Sequence, residues 1–457
     1  MEHNRQQRSS YTALSRDEQC FEFENNHELA SPLTKINLDQ FIQDPVYLQS
    51  QETLRSLLFS TAQSTVPTRA PSPVQDGQPH TISSRGILSS RKRIEYLKNY
   101  VAEVAPWLDM FDMQRTFGIK IMDMSQNCPA LFYAILALSS RQLERKNEIR
   151  DVYDSLELYQ EAIRLVTPLL HARHLDALIV CVILCCLEMM SASAKDWRRH
   201  LEGCAALFDT FNINGFSGGV LQAVFWCYAR MDLCGALISD GTESTLLRLE
   251  KWLPPGTHEN KARKLFSEAG SNDMYANYAV YLCSKVCDLI ADRTKYTELG
   301  EDNGCSTDVF AERWMRLWDD LQLWMRDRPS GICPVHEAEG EPFPRVLFVH
   351  WGAISSTQLI HTACILLLDM TPHKARLQSS SSTSKLWHAK QICGISLANP
   401  HHGCLNNALQ PLWIAGRLFS HEREHSLVVK LIRSIEATTG WGTCWRICDL
   451  ECTWGYI

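Results

Sequence analysis

Apolar residues recur at steps of three and four along most of the chain, which is the spacing of one face of an α-helix. The segment 196–211 shows the pattern best, and its apolar face is formed by Trp197, Leu201, Cys204, Phe208 and Phe211. We expect Asp196 to cap the N-terminus of this helix, because an aspartate there accepts a hydrogen bond from a free backbone N–H group.

The glycine-rich stretch 212–219 interrupts this pattern, and the apolar segment 220–239 follows it. A short turn between two helix-forming segments predicts an antiparallel helical hairpin. Further helices are predicted at 129–145, 155–170, 175–190, 271–292, 308–326, 346–369, 387–397, 411–419 and 422–437. No stretch shows the sustained alternation of a half-buried strand, so the predicted fold class is all-α, a large multi-helix domain of antiparallel hairpins.

The same patterns divide the chain into regions. Residues 1–37 are polar and unpatterned, which predicts disorder. Residues 38–63 carry apolar positions on one face and predict a short amphipathic helix. The Pro-, Ser- and Gly-rich stretch 64–87 predicts a flexible linker, and the remaining residues, 88–457, predict one helical domain.

Composition narrows the class of protein. The 457-residue chain is 45% hydrophobic and 21% charged, which is typical of a globular protein, and its net charge is −7. An acidic chain gains no bulk electrostatic attraction to nucleic acid, so contact with DNA requires a local basic module. The N-terminus has no apolar signal region, and the longest apolar run, 177–187, is too short to span a bilayer, so no membrane association is predicted.

Cysteine spacing argues against a zinc module within this chain. There are 18 cysteines, but no two are separated by two residues. Structural zinc knuckles and binuclear zinc clusters are built on such pairs. Without a signal region the compartment is expected to be reducing, and the cysteines are expected to be free thiols.

The string HEREH places His421, Glu422 and His425 in the spelling of a zinc-peptidase motif. A zinc hydrolase needs a third ligand, and the nearest downstream glutamate, Glu436, is predicted to lie on the same helix, roughly 16 Å away. The two histidines also continue the apolar stripe of this helix. We therefore interpret them as the edge of a packed helix face and keep the zinc hydrolase as an alternative.

Two further sets of side chains could bind a metal. His401, His402 and Cys404 offer nitrogen and sulfur ligands, and Cys444, Cys448 and Cys452 share one face if their segment is helical. Neither set has zinc-knuckle spacing, and cysteine is commonly a small core residue. Core packing is the expected role of both, and we predict no metal or other cofactor.

Arg230 and Asp232 lie in a segment that is apolar nearly all round, FWCYARMDLCGAL. Buried charges must be paired or hydrogen-bonded. One interpretation is a structural ion pair with a neighbouring helix, for example with the turn 197–200 or with Glu202. The alternative is a polar floor for an effector pocket.

Arg91, Lys92 and Arg93 form the one basic cluster next to the predicted linker, with Arg85 just upstream. Such a cluster is typical of a nuclear-import signal. It is equally compatible with the solvated first turn of a helix. The sequence contains no Gly-rich phosphate loop, no Gly-x-Ser-x-Gly elbow and no Cys–His–Asn signature, and we therefore predict no catalytic residues and no enzymatic activity.

Several long strings occur in an order known from one protein family. They are RKRIEYLKNYVAEVAPWLDMFDMQRTFG, PALFYAILALSSRQLER, SLELYQEAIRLVTPLL, VILCCLEMMSASAKDWRRHLEGCAALF, GFSGGVLQAVFWCYARMDLCGALISDG and TGWGTCWRICDLECTWGYI. Over about 88–457 the chain resembles the fungal-specific transcription factor domain, the helical regulatory region of fungal binuclear-zinc-cluster regulators.

This resemblance implies a nuclear, non-enzymatic regulator of RNA polymerase II transcription, serving a metabolic or secondary-metabolite gene cluster. It implies partners in the transcription machinery, a homodimer and a small-molecule effector. DNA would be reached only through a zinc module that these residues do not contain. A zinc hydrolase and a generic helical interaction scaffold are the alternative functions.

Overall fold

The computed structural model of the protein describes residues 40–63, 88–149, 153–191, 194–239, 242–377 and 380–456. The predicted disorder of 1–37 and the predicted linker 64–87 lie outside these residues. The first ten helices are α1 (Gln40–Gln43), α2 (Pro45–Gln63), α3 (Ser90–Asn99), α4 (Ala105–Leu108), α5 (Lys120–Met124), α6 (Pro129–Lys146), α7 (Asp154–His171), α8 (Leu175–Ser191), α9 (Ala194–Thr210) and α10 (Gly219–Ile238).

The second part of the chain continues in the same way, with one small hairpin of strands. Its elements are α11 (Ala262–Glu268), α12 (Asn272–Thr294), α13 (Thr307–Arg326), β1 (His336–Ala338), β2 (Arg345–Leu347), α14 (Trp351–Asp369), α15 (Lys385–Ala398), α16 (Leu409–Gly416), α17 (Glu422–Thr439) and α18 (Cys444–Thr453). The predicted all-α class is confirmed.

The predicted hairpin is formed by α9 and α10. Phe208, near the end of α9, packs against Phe225 and Tyr228 near the start of α10, with ring centroids 5.4 and 4.7 Å apart. Gly218 precedes α10 with a φ of 78°, a left-handed conformation that favours glycine. The predicted cap is wrong, because α9 begins at Ala194 and Asp196 therefore lies inside its first turn.

The helix α2 is part of the main core. Its side chains Tyr47, Leu54 and Leu58 are buried, and the helix packs against α7 and α9. A Cβ atom on Gly203 of α9 would lie 2.7 Å from the Cβ of Leu58, so only glycine allows this close approach. The described residues from Gln40 onward consequently belong to one compact unit.

A buried carboxylate connects four of these helices. Glu188 of α8 is fully buried and accepts hydrogen bonds of 2.7 Å from Gln51 of α2 and from Tyr159 of α7. The Nδ1 atom of His200, on α9, lies 2.7 Å from the same carboxylate. Because a buried charge is tolerated only when it is well bonded, this network fixes the position of α2 against the other three helices.

The strands β1 and β2 lie where the sequence predicts a loop followed directly by a helix. They pair antiparallel, with Glu337 opposite Val346. The side chain of Asn399 holds the end of β2, since its Nδ2 donates to Val346 O over 2.6 Å and its Oδ1 accepts from Phe348 N over 2.9 Å. The helix predicted over 346–369 therefore begins only at Trp351.

The helix α14 is apolar on all sides and lies in the centre of the second half of the fold, against α12, α13 and α15. Among the described residues it is the one helix long and apolar enough to cross a membrane. However, 94% of its apolar 18-residue stretch is buried within the protein. Such burial is typical of the core helix of a folded domain.

Candidate effector pocket

A pocket of about 160 Å³ lies where the loop after α4 meets the first half of α10 and the start of α12. Its polar and aromatic lining includes Phe111, Gln222, Arg230, Ser271, Asp273 and Asn277. The residues come from three parts of the chain that are far apart in sequence. Concave sites with a few convergent polar groups are the usual form of a small-molecule site.

Arg230 forms one wall of this pocket and is held there by backbone carbonyls. Its guanidinium donates to Trp107 O over 3.2 Å, to Leu108 O over 2.6 Å and to Trp226 O over 3.3 Å, and it lies 5.4 Å from the centroid of the Phe111 ring. No carboxylate of the described residues lies within ion-pair distance of it. The ion pair expected for this arginine is therefore not formed, and a positive charge borders the cavity.

Asp232 has a different role. It accepts hydrogen bonds from Tyr228 Oη over 2.9 Å and from the backbone N–H groups of Leu246 and Leu247 over 2.8 and 3.0 Å. Burial raises the pKa of Asp232 to about 6, against the lowering effect of these hydrogen bonds. It does not line the pocket, so of the two residues only Arg230 fits the predicted polar floor, and Asp232 anchors the chain after α10.

Asp273 forms the opposite wall, and sequence reasoning did not identify it. Its Oδ2 accepts from Met113 N over 2.9 Å, whereas its buried Oδ1 has no hydrogen-bond partner. Burial raises the pKa of Asp273 to about 6. His350 Nε2 lies 4.0 Å from this oxygen, and Asn277 adds a second buried acceptor without a partner.

The loop between α4 and α5, which carries Phe111, is held in place by its own hydrogen bonds. Asp109 is buried and accepts from Phe117 N over 2.7 Å and from Gly118 N over 2.8 Å. Burial raises the pKa of Asp109 to about 7, although the two backbone hydrogen bonds and the nearby Arg230 oppose this. The loop that carries Phe111 is thus tied to a carboxyl group that titrates near neutral pH.

The lining of the pocket suits binding better than catalysis. Cys227 is its one thiol, and burial raises the pKa of Cys227 to about 11, so it stays protonated at neutral pH. Ser271 caps α12 by accepting from Met274 N. The guanidinium of Arg230 and the carboxylates of Asp112 and Asp273 give the pocket a polar lining that carries both signs of charge.

Both histidines of the HEREH string make contacts within the protein. His421 precedes α17 as its N-cap and accepts from Arg423 N over 3.2 Å. Both ring nitrogens of His425 are engaged, Nδ1 with Tyr456 Oη at 2.7 Å and Nε2 with Phe419 O at 3.0 Å. The His425 ring also stacks on Trp454 with centroids 3.9 Å apart. A metal would have to displace one of these contacts.

The other candidate metal ligands are also engaged within the protein. Cys404 is buried, burial raises its pKa to about 12, and its thiol donates to Trp351 O over 3.3 Å. His401 stacks on the Trp351 indole, and His402 Nε2 lies 2.9 Å from Glu103 O. Within the described part of the chain, no three His, Cys, Asp or Glu side chains converge as metal ligands would.

The segment that carries the last three cysteines is helical, as α18. Cys444 and Cys452 are exposed and Cys448 is half-buried, so they line its outer face and not the core. The core role expected for them is therefore not found.

The basic cluster forms the first turn of α3. Arg91 is exposed, Lys92 Nζ lies 2.6 Å from Asp154 Oδ2, and the Arg93 guanidinium donates to Leu88 O. Two of the three side chains are thus engaged with the folded domain. The arrangement matches the interpretation as a helical first turn, and a role in nuclear import stays a prediction.

Comparisons with known proteins cover most of the folded region. The family model described as fungal specific transcription factor domain matches residues 95–450. The transcription activator AMTR1 of Alternaria alternata is 25% identical in an alignment that covers 61% of this chain and 44% of that protein. The aligned region thus spans less than half the length of this relative. No solved structure matches the chain.

Proposed function

The chain belongs to the fungal-specific transcription factor domain family, and from this premise we propose that it regulates RNA polymerase II transcription in the nucleus. The observation that carries the proposal is the family match over 95–450, which includes the hairpin α9–α10 and the pocket beside Arg230. The relative's name, transcription activator, supports the same class of function. Metabolic or secondary-metabolite genes are the proposed targets.

The proposed mechanism is non-covalent. The pocket is bounded by α10, α12 and the loop after α4, so a ligand that bridges Arg230 and Asp273 would favour one relative arrangement of these elements. A surface on the same elements would then bind a component of the transcription machinery with altered affinity. Contact with DNA would come from a zinc module that these residues do not contain, or from a partner protein that carries a DNA-binding module.

A reporter assay tests this function directly. The complete chain is fused to a foreign DNA-binding module, and transcription of a reporter is compared with that given by the module alone. We expect the fusion to change reporter output severalfold in either direction. A folded, nuclear fusion that leaves the output equal to that of the module alone would instead support the generic helical scaffold.

The pocket is tested in the same assay by Arg230→Met, which removes the charge at the cavity wall. Arg199→Met, at an exposed position on α9, is the matched control. We expect the first substitution to change reporter output and the second to leave it unchanged. Circular dichroism at the assay temperature must show both variants folded, so that a loss of structure is distinguished from a loss of regulation.

A further inference from the structure

Three cysteines form a row along the outer face of α18. Cys444, Cys448 and Cys452 follow one another at steps of four residues. Cys444 and Cys452 are exposed and Cys448 is half-buried, whereas the opposite face of the helix, with Ile447 and Leu450, is buried in the core. Residues four apart on a helix are neighbours, with Cβ atoms about 5–6 Å apart. Cys448 therefore has one thiol neighbour on the preceding turn and one on the following turn.

The thiol groups of this row influence one another electrostatically. Partial burial raises the pKa of Cys444, and the nearby Glu436 and Cys448 raise it further. Partial burial also raises the pKa of Cys448, to which neighbouring carboxylates and Cys452 contribute. Because the thiolate is the form that is oxidised most readily, these protonated thiols resist oxidation and remain available to a ligand.

The geometry of the row limits a bound atom to two sulfur ligands. Cys444 and Cys452 are eight residues apart, which corresponds to about 12 Å along the helix axis. A soft atom at about 2.3 Å from each sulfur requires both sulfur atoms within about 5 Å of each other, so the two end thiols cannot bind the same atom, whereas either can share one with Cys448. Within the described residues no three metal-ligating side chains converge, so the row does not suit a tetrahedral zinc ion.

Two other pairs of cysteines have the same spacing but lie in the core. They are Cys181 and Cys185 of α8 and Cys283 and Cys287 of α12, and all four are fully buried. A ligand with an organic group of its own cannot reach these thiols unless the core opens. Among the described cysteines at this spacing, only those of α18 are accessible in the folded protein.

We propose that this row binds trivalent arsenicals of the type R–As(OH)2, in which arsenic carries one organic group and two hydroxyl groups, through Cys448 and one of its two neighbours. Each thiol displaces one hydroxyl group: two As–S bonds form, two As–O bonds break, and each thiol proton leaves with a hydroxyl group as water. Arsenic stays trivalent, so the reaction needs no oxidant or reductant. This site is not part of the pocket at Arg230, and it does not depend on the function proposed above.

The test uses the complete, reduced chain and phenylarsine oxide, which hydrates to an arsenical of this type, followed by mass spectrometry of the intact folded protein. We expect one phenylarsenic group per wild-type chain. Cys448→Ser should weaken binding by about 100-fold, because it leaves one thiol attachment in place of two. Cys444→Ser and Cys452→Ser should each bind as the wild type does, because each keeps one pair. Equal binding by Cys448→Ser and the wild type overturns the proposal.

The double variant with Cys444→Ser and Cys452→Ser changes only exposed positions and should lose as much affinity as Cys448→Ser. Unchanged binding by the double variant overturns the proposal even if Cys448→Ser does not fold. Cys333→Ser is the matched control, since this half-buried cysteine has no cysteine four residues away, and it should bind as the wild type does. Dimercaptopropanol should release the bound group and mercaptoethanol at the same thiol concentration should not. Equal release by both would contradict attachment through two sulfur atoms.

Discussion

The guanidinium carbon of Arg446 lies 3.5 Å from the centroid of the Trp413 indole ring. Trp445 covers it on another side at 4.1 Å, and Gln410 Oε1 accepts two of its N–H groups over 2.6 and 3.0 Å. Burial lowers the pKa of Arg446 to about 10, so it remains charged at neutral pH. This contact attaches the C-terminal helix α18 to α16.

Arg446→Lys should therefore destabilise the protein although it keeps the charge. A lysine has no planar group that could stack on an indole ring. Its single ammonium nitrogen also cannot replace the two guanidinium N–H groups that donate to the amide oxygen of Gln410. We expect a loss of about 1–2 kcal/mol in the free energy of unfolding, measured by urea denaturation. Arg433→Lys, at an exposed position of α17, is the control and should have almost no effect. Equal effects of the two substitutions would contradict the importance of stacking.

Gln51→Leu should weaken the attachment of α2. The substitution removes one of the hydrogen bonds to the buried carboxylate of Glu188 and places an apolar group beside it. We expect a loss of about 1–3 kcal/mol in the free energy of unfolding. Gln49→Leu changes an exposed residue of the same helix and should be close to neutral. A neutral Gln51→Leu would show that another donor replaces the amide.

The buried pair His361 and His388 predicts a dependence of stability on pH. Their Nδ1 atoms lie 2.7 Å apart, and burial lowers the pKa of His388 to about 4 and that of His361 well below its ordinary value. Between pH 6.5 and pH 4 the unfolded chain binds more protons than the folded one, so this contribution is present above pH 6.5 and is lost as the pH falls.

From His388 alone, the free energy of unfolding should fall by about 2 kcal/mol between pH 7 and pH 5. The difference in unfolding free energy between the two pH values should therefore be smaller in His388→Asn than in the wild type. Urea denaturation at both values measures it, and subtraction removes the contributions of groups other than His361, whose pKa is also lowered by His388. The same difference in both proteins would mean that His388 is protonated in the folded state.

Asp232→Ala should loosen the segment that follows α10. The substitution leaves the N–H groups of Leu246 and Leu247 without their acceptor. We expect a loss of about 2–4 kcal/mol in the free energy of unfolding and faster proteolysis near these residues. Asp319→Ala, which removes an exposed carboxylate of α13, is the matched control. Unchanged proteolysis would show that packing alone holds the segment.

His425→Ala should lower stability without changing metal content. It removes a ring that stacks on Trp454 and bonds to Tyr456 and to Phe419 O. We expect a melting temperature several degrees lower, by differential scanning calorimetry, and metal analysis should give the same zinc content as in the wild type. Stoichiometric zinc in the wild type that is lost in His421→Ala would instead support the zinc hydrolase.

The sequence predicts those parts of the fold that depend on local spacing. The apolar stripe of 196–211 identifies α9, because helix periodicity acts within a few residues. The start of α14 was predicted five residues too early, since the preceding segment pairs with β1 and is held by Asn399. Such partners are distant in sequence, and a short strand of this kind has no periodicity of its own.

In the candidate site, too, some residues can be identified from local sequence and others depend on contacts that are distant in sequence. Arg230 could be identified because a charge in an apolar segment must find a partner. The partners themselves, the carbonyls of Trp107 and Leu108, are more than a hundred residues away, and nothing in the sequence relates them to α10. Asp273 gives no local signal, because its buried, unpaired oxygen results only from the packing of α12 against the loop at Met113.

The position of α2 bears on what happens if the backbone is cut. Gln63 ends a helix that is embedded in the core, and Leu88, where the described chain resumes, is itself buried. If the backbone is cleaved anywhere in 64–87, both fragments should therefore stay packed in the same core. The two fragments should then co-purify as a non-covalent complex. The short N-terminal piece that contains α2 should therefore also bind when it is supplied in trans as a peptide.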